Sequence, residues 1–399
     1  MLSPSLALLL SLAGMLVLLR LKVPAGVAVF VGSLILTVLA RPLSIVPGLL
    51  AQAVWNLETL RLLVIVVTAL TLSYLMEARG LLSGLAATME CLSPRLAMYI
   101  VPAMVGLVPM PAGALVSATA VRGLAERMGL SPGRATFINY WFRHVWEFSL
   151  PMYPAIIIAS VVLSLRLSTV IVALLPLTGL ALIFGIIFSH RMLRVRPASS
   201  EKGSGNLILE LARNSWPVLL LVMLILLGLD AGWAFPLVLL AFILQQRVHW
   251  SDLAQGLKYG LSPLILLLLY AIMLYKGAIE DAEAAASLFL SMQSLGLPAA
   301  FSLMFLPFLI GLAAGASFGF AGITFPLLAP LISATGSGGF ALLLAYASGM
   351  TGLLLSPAHL CLTLSAEYFE ARLSVVYRYL LPPLILIETA ALLLYFLAG

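Results

Sequence analysis

The sequence predicts an all-α polytopic membrane protein built as two inverted repeats. Each repeat has about five crossings, one re-entrant helical hairpin and one broken helix. Three observations predict this. Of 399 residues, 63% are hydrophobic and 9% charged, whereas soluble domains are roughly 25% charged. One polar, Gly/Ser-containing linker, His190–Asn206, divides the chain near its middle. Across that linker short matches recur in order at nearly constant spacing: Leu50-Ala51-Gln52 with Leu253-Ala254-Gln255, Glu77 with Glu280, Pro102 and Gly106 with Pro307 and Gly311, Ser168 and Pro176 with Ser374 and Pro382. An odd number of crossings per copy inverts the second copy relative to the first. The first repeat covers 1–205 and the second 206–399.

In chain order, a crossing needs about 20 apolar residues. Leu2–Leu19, Pro24–Ala40, Leu60–Met76 and Leu167–Ser189 meet or approach that length in the first half. Met1–Leu19 has no basic residue before it and no small-residue cleavage signature, and so reads as a retained helix rather than a signal peptide. The segment from Arg95 to Arg127 breaks the pattern. Two apolar arms of roughly ten residues flank Pro109-Met-Pro111-Ala-Gly113, too short for two crossings, so a hairpin over about 96–127 is expected with its tip at mid-membrane. A broken helix follows over about 135–165. In the second half, spans are expected at Pro217–Leu229, Pro236–Gln245, Leu261–Leu274 and Val375–Ala398. A second hairpin is expected over about 300–333 and a second broken helix over about 340–368. Lys276, Glu280, Asp281 and Glu283 read as solvated loop at an outer end.

Charge tests the hairpin, because cytoplasmic loops carry the excess Lys and Arg. With the N-terminus outside and the first hairpin returning to its own side, Arg20, Lys22, Arg79, Arg95, Arg122, Arg127, Arg134, Arg191, Arg194, Arg196 and Lys202 fall inside, and only Arg41, Arg61 and Arg166 outside. A full crossing in place of the hairpin sends Arg122, Arg127 and Arg134 to the wrong side. The second hairpin then enters from outside, leaving Arg247, Lys258 and Arg372 inside. The chain is expected in the plasma (inner) membrane with both termini outside. The net charge of +6 lies at segment ends, with no basic tract interleaved with aromatics, so no nucleic-acid partner is expected; membrane lipids are.

The polar centre is Asn139-Tyr-Trp-Phe-Arg143-His144-Val-Trp-Glu147-Phe-Ser149-Leu-Pro151-Met-Tyr-Pro154, enclosed by apolar segments. Asn139, Arg143 and Glu147 share one helical stripe, with His144 beside it. An ionised side chain at the bilayer centre costs roughly 2.5–3.5 kcal/mol by insertion scales, so such residues usually serve a function. Arg143 offers a planar fork to a carboxylate or phosphate; the alternative is an Arg143–Glu147 pair that only locks the helix. His144 and His359 are proton carriers or satisfied hydrogen-bonding groups. Glu147 relays a proton or neutralises Arg143. Ser149 and Ser356 each stand near a helix-breaking proline and offer hydroxyls and freed carbonyls to a coupling ion, or else cap their own backbone. Pro111, Gly113, Ser317, Gly319 and Thr324 belong to the hairpin tips, where small residues admit a ligand or allow close helix packing. Cys91 and Cys361 have neither a disulfide framework nor a metal spacing, so no metal site and no cofactor are expected beyond Na+ or H+ as a coupling ion.

Together, Pro109-Met-Pro-Ala-Gly113, Asn139-Tyr-Trp-Phe-Arg143-His144 and Leu355-Ser-Pro-Ala-His359 resemble the ion transporter superfamily, specifically its domain-of-unknown-function family 401 branch, across nearly the whole chain. The resemblance implies carboxylate-class transport by an elevator motion in a homodimer. Sodium–dicarboxylate members of that superfamily carry Ser-Asn-Thr at both hairpin tips. Neither tip here has an Asn, so proton coupling through His144, Glu147 or His359 stands beside sodium coupling.

The expected function is ion-coupled secondary transport (symport) of a small organic anion, with Arg143, His144, Asn139, Pro111, Gly113, Ser317, Gly319 and His359 around the substrate and Glu147, Ser149, Ser356, Thr324 and His359 around the coupling ion or proton. The alternative is a translocase reading a lipid or polyprenyl-phosphate headgroup on the same scaffold, which an open lateral groove would favour. An enzyme is not expected: His144-x-x-Glu147 lacks the second histidine of a zincin, and no nucleophile–base set or nucleotide loop is present. No ring of repeated charge supports a channel.

Overall fold

The structure is a computed structural model that describes residues 1–81, 93–110, 113–193, 207–334 and 338–398. The described residues form helices joined by short turns, with no strand among them. Five helical stretches are long and apolar enough to cross a membrane, which with the composition makes this an integral membrane protein.

The first half runs α1 (Pro4–Arg20), α2 (Ala25–Ala40), α3 (Val46–Trp55), α4 (Leu57–Ala78), α5 (Pro94–Val105), α6 (Gly113–Arg127), α7 (Pro132–His144), α8 (Pro154–Val162) and α9 (Leu167–His190). The second runs α10 (Leu207–Leu226), α11 (Ala231–Gln245), α12 (Trp250–Gly260), α13 (Pro263–Ala282), α14 (Ala284–Ser294), α15 (Ala299–Ala314), α16 (Ser317–Ala334), α17 (Gly338–Leu355), α18 (Leu360–Tyr368) and α19 (Leu373–Ala398). Local sequence sets the boundaries. Proline opens α1, α5, α7, α8 and α13, where its missing N–H is no loss. Ser3, Asn56, Ser93 and Asp230 cap α1, α4, α5 and α11 with side-chain oxygens. The matched sequence pairs fall on elements in the same order: Gln52 and Gln255 on α3 and α12, Glu77 and Glu280 on α4 and α13, Pro176 and Pro382 inside α9 and α19.

Two expectations are corrected. Helices α3, α12 and α14 lie outside every expected span, because their 10 or 11 residues are too short to register in a search for a full crossing. Lys276, Glu280 and Asp281 are not loop but the last turns of α13. Lys276 pairs with Glu58 at 2.7 Å and Arg41 with Asp281 at 3.1 Å. The His190–Asn206 linker lies outside the described residues from 194 onward.

Packing joins the halves throughout. One body comprises α1–α4 with α11–α14: α2 lies along α13, α4 along α11 and α12, and α1 against α14. A second comprises α5–α9 with α15–α19: α15 lies along α17, α17 against α19 and α9, α7 against α19, and α6 against α18. Small residues set the closest crossings, as expected where lipid removes the hydrophobic drive between helices. A Cβ on Gly311 would meet the Gly349 carbonyl oxygen at 2.1 Å, and one on Gly352 the Phe308 carbonyl oxygen at 2.1 Å. Gly106, the partner of Gly311 in the sequence match, presses on the Arg143 carbonyl in the same way, at 2.3 Å.

Candidate functional site

Two interrupted helices build the site. Helix α7 ends at His144, tightens into a 3₁₀ turn over Val145–Phe148 and resumes as α8 at Pro154. Helix α17 ends at Leu355, and α18 begins at Leu360 with His359 as its N-cap. Proline removes an N–H and clashes with the preceding turn, so Pro151, Pro154 and Pro357 make both breaks local properties of the sequence. The turns between α5 and α6 and between α15 and α16 reach these breaks. Gly315 takes φ +62° there, which glycine adopts without strain, and a Cβ on it would lie 2.9 Å from Ala358.

Arg143 is 1% exposed. Its Nη1 donates to Glu147 Oε1 at 3.2 Å and to the Tyr153 hydroxyl at 2.9 Å, and Nη2 reaches the Met110 carbonyl at 3.5 Å. Tyr153 in turn donates to the Gly106 carbonyl at 2.6 Å. The Nε donor is buried with no partner among the described residues. The Nε–Nη2 edge faces Gly113, the first residue of α6; a Cβ there would lie 2.7 Å from both nitrogens.

His144 and His359, from opposite halves of the chain, meet at Nε2···Nε2 3.1 Å. Their other nitrogens are held by backbone carbonyls, His144 Nδ1 by Tyr140 at 2.6 Å and His359 Nδ1 by Gly315 at 2.9 Å. Glu147 Oε1 lies 3.8 Å from His144 Nε2. Around them, Tyr140 donates to the Leu354 carbonyl at 3.1 Å and Tyr346 to the Glu147 carbonyl at 2.8 Å, so each half grips the other's break.

Among the sequence-predicted residues, Arg143, His144, Glu147, His359 and Gly113 come together. Asn139 sits one turn below Arg143, donating to the Ala114 carbonyl at 2.8 Å and Ser365 Oγ at 2.7 Å, while its Oδ1 is buried without a partner among the described residues. Ser149 pairs with Thr178 at 2.7 Å. Ser356 donates to the Leu312 carbonyl at 2.6 Å and accepts from the Ala358 N–H, the self-capping arrangement. Gly319 faces Ala25 of α2, a Cβ on it lying 3.3 Å from the Ala25 Cβ. Ser317 is half-buried at the start of α16. Thr324, farther along that helix, is buried with its hydroxyl unpartnered among the described residues. Pro111 lies outside the described residues. Sequence reading missed Tyr153, whose hydroxyl binds Arg143, and Cys361, whose sulfur lies with both histidine rings in one cluster within 4.8 Å. It also missed Glu388, midway along α19, which accepts from Ser348 and from Thr351 and borders an apolar groove of about 440 Å³ whose lining includes Phe301, Phe305, Phe308, Leu381 and Leu384.

A buried, hydrogen-bonded charge cluster at two facing helix breaks defines an integral membrane protein with a discontinuous-helix core. The chain belongs to the family described as "Protein of unknown function (DUF401)", whose model matches residues 2–398. Its fold is similar to a solved structure titled "Crystal structure of the Alcanivorax borkumensis YdaH transporter reveals an unusual topology", with TM-score 0.61, 14% identity and 90% of each chain covered. No curated protein matches by sequence.

Proposed function

We propose that this protein is a secondary active transporter of a small, carboxylate-like organic anion, driven by Na+ or H+ and working by an elevator motion in the inner membrane. The observation that carries the reading is the orphaned Nε–H of Arg143 on the edge facing Gly113. An unsatisfied buried donor costs roughly 1–3 kcal/mol, more for a charged group. The Nε–Nη2 edge is one of the two faces by which guanidinium grips a carboxylate bidentately. Asn139 Oδ1, an orphaned acceptor one turn away, suits a substrate that also carries a donor such as a hydroxyl.

The repeated order of elements, with α5–α6 and α15–α16 as re-entrant hairpins, supports inverted-repeat transport. At about 1.5 Å per residue, the 12 and 15 residues of α5 and α6 fall short of a bilayer core of about 30 Å. The body holding α1–α4 and α11–α14 would be the fixed scaffold, the other the moving part. The likeness in fold to a protein titled a transporter supports the class. The lipid-headgroup alternative has the apolar groove in its favour, yet the one carboxylate or cation among its described lining residues is Glu388, which disfavours a phosphate.

The test is a thermal-shift screen of the detergent-purified protein against carboxylates and phosphates, varying Na+ and pH. A ligand binding only the native state raises its stability. A carboxylate that stabilises the wild type and not Arg143→Lys, which keeps the charge and loses the fork, supports the reading. Equal stabilisation of both overturns the role of Arg143, and silence from every soluble anion overturns the substrate class.

A further inference from the structure

We infer that His144, His359 and Cys361 form a binding site for a transition-metal ion of the Zn2+ class, which Glu147, outside that three-residue cluster but next to His144, would complete by turning its side chain from Arg143. The argument begins with the protons on the two rings. A carbonyl oxygen can only accept, so the nitrogen facing it carries the hydrogen. His144 Nδ1 faces the Tyr140 carbonyl and His359 Nδ1 the Gly315 carbonyl. Each neutral ring has one N–H, so each Nε2 is left with a lone pair. These two lone pairs point at one another across 3.1 Å, an arrangement that is repulsive unless a cation lies between them.

A metal ion meets that requirement better than a simple cation. With Zn–N of about 2.0–2.1 Å and tetrahedral angles, two ligating nitrogens sit roughly 3.3 Å apart, close to the separation here. Metal-bound histidines characteristically donate the other ring N–H to a carbonyl or carboxylate, which fixes the tautomer and aims the ligating nitrogen. Both rings have this second partner. The thiol of Cys361 lies in the same buried cluster, all three ligand atoms being within 4.8 Å of one another. Glu147 Oε1 is 3.8 Å from His144 Nε2. Two imidazoles, a thiolate and a carboxylate select zinc-class metals over Na+, Mg2+ or Ca2+, which take oxygen ligands. On binding, Cys361 releases its proton to solvent and the imidazoles contribute lone pairs without losing protons. Thiolate and carboxylate then balance the dication.

The site has a consequence for Arg143, and this consequence alone rests on the anion-transport reading. Glu147 Oε1 also accepts from Arg143 Nη1. A metal that draws Glu147 away frees a second donor of Arg143 for an anion, so the metal and the anion bind cooperatively.

Co2+ titration of the purified full-length protein tests the site independently of transport. Tetrahedral Co2+ with a thiolate ligand gives visible d–d bands and a near-ultraviolet sulfur-to-cobalt charge-transfer band. The expected result is saturation at a single Co2+ per chain, with Zn2+ displacing it. Cys361→Ser should lose the charge-transfer band. His359→Gln, with its fold checked by size-exclusion profile, should lose the spectrum. Colourless titration of folded wild type overturns the site and leaves a proton between the rings. A band that survives Cys361→Ser overturns the ligand set. Anion stabilisation measured with and without Zn2+ then reports the coupling separately.

Discussion

Arg143 and Glu147 are buried at 1% and 5% exposure, so each is the other's main neutraliser. Removing one partner of a buried pair costs about 3–5 kcal/mol, whereas replacing both by apolar residues of similar volume is often neutral or stabilising. Arg143→Met alone should therefore lower stability in chemical unfolding of the detergent-solubilised protein by about that amount. The double variant Arg143→Met with Glu147→Met should recover most of it while binding no anion. A double variant as unstable as the single would show that Arg143 acts through Tyr153 and Met110 instead. Gly113→Ala makes a sharper test of the guanidinium edge. The new methyl would sit 2.7 Å from Nε and Nη2, so the side chain must turn. Anion-induced thermal stabilisation should fall at least tenfold in apparent affinity, about 1.4 kcal/mol; undiminished affinity would place the substrate elsewhere.

Among the elements, the α15–α17 crossing depends on backbone contact. Gly352 leaves no room for a side chain, its Cβ position lying 2.1 Å from the Phe308 carbonyl. Gly352→Ala should lose about 1–3 kcal/mol or more through overpacking, seen as a lower midpoint in denaturant. Gly179 of α9, with nothing within 4 Å of its Cβ position, is the control. Alanine there should leave stability unchanged or slightly raised, because it removes glycine's backbone entropy penalty. A loss at Gly352 no larger than the change at Gly179 would mean that close backbone contact does not govern this crossing. The breaks in α7–α8 and α17–α18 were readable from their prolines. Helices α3, α12 and α14 were not: α12 buries Gly256 and Gly260 against α4 while exposing Ser251 and Gln255, a mixed face with no full apolar run.

For the whole molecule, the elevator reading requires the body of α5–α9 and α15–α19 to move past the body of α1–α4 and α11–α14. Gly319 of α16 and Ala25 of α2 meet at that boundary, a Cβ on Gly319 lying 3.3 Å from that of Ala25. A disulfide wants Cβ atoms about 3.5–4.5 Å apart. Ala25→Cys with Gly319→Cys should therefore cross-link under mild oxidation. In proteoliposomes the cross-link should abolish anion uptake, and reductant should restore it. Full uptake by the cross-linked protein would rule out sliding at this boundary. Ion pairs tie the ends of the helices: Arg41–Asp281 and Lys276–Glu58 join residues at one end, Arg79–Asp252 at the other. An exposed pair such as Arg41–Asp281 contributes roughly 0–1 kcal/mol, so it favours register more than stability.

By itself the sequence determined the membrane class, the two interrupted helices and the polar stripe Asn139–Arg143–Glu147. Each is a local property: apolar run length, proline position, or the 3.6-residue helical period. The tertiary structure alone decided which groups face one another. His144 meets His359 from the far half of the chain, and Tyr153 folds back across the break onto Arg143. Cys361, which its spacing had set apart, joins the two rings. Ser149 and Ser356, which looked available, are already paired. No local pattern carries these relations, because a hydrogen bond depends on distance in space, and only packing brings distant segments to within 3 Å.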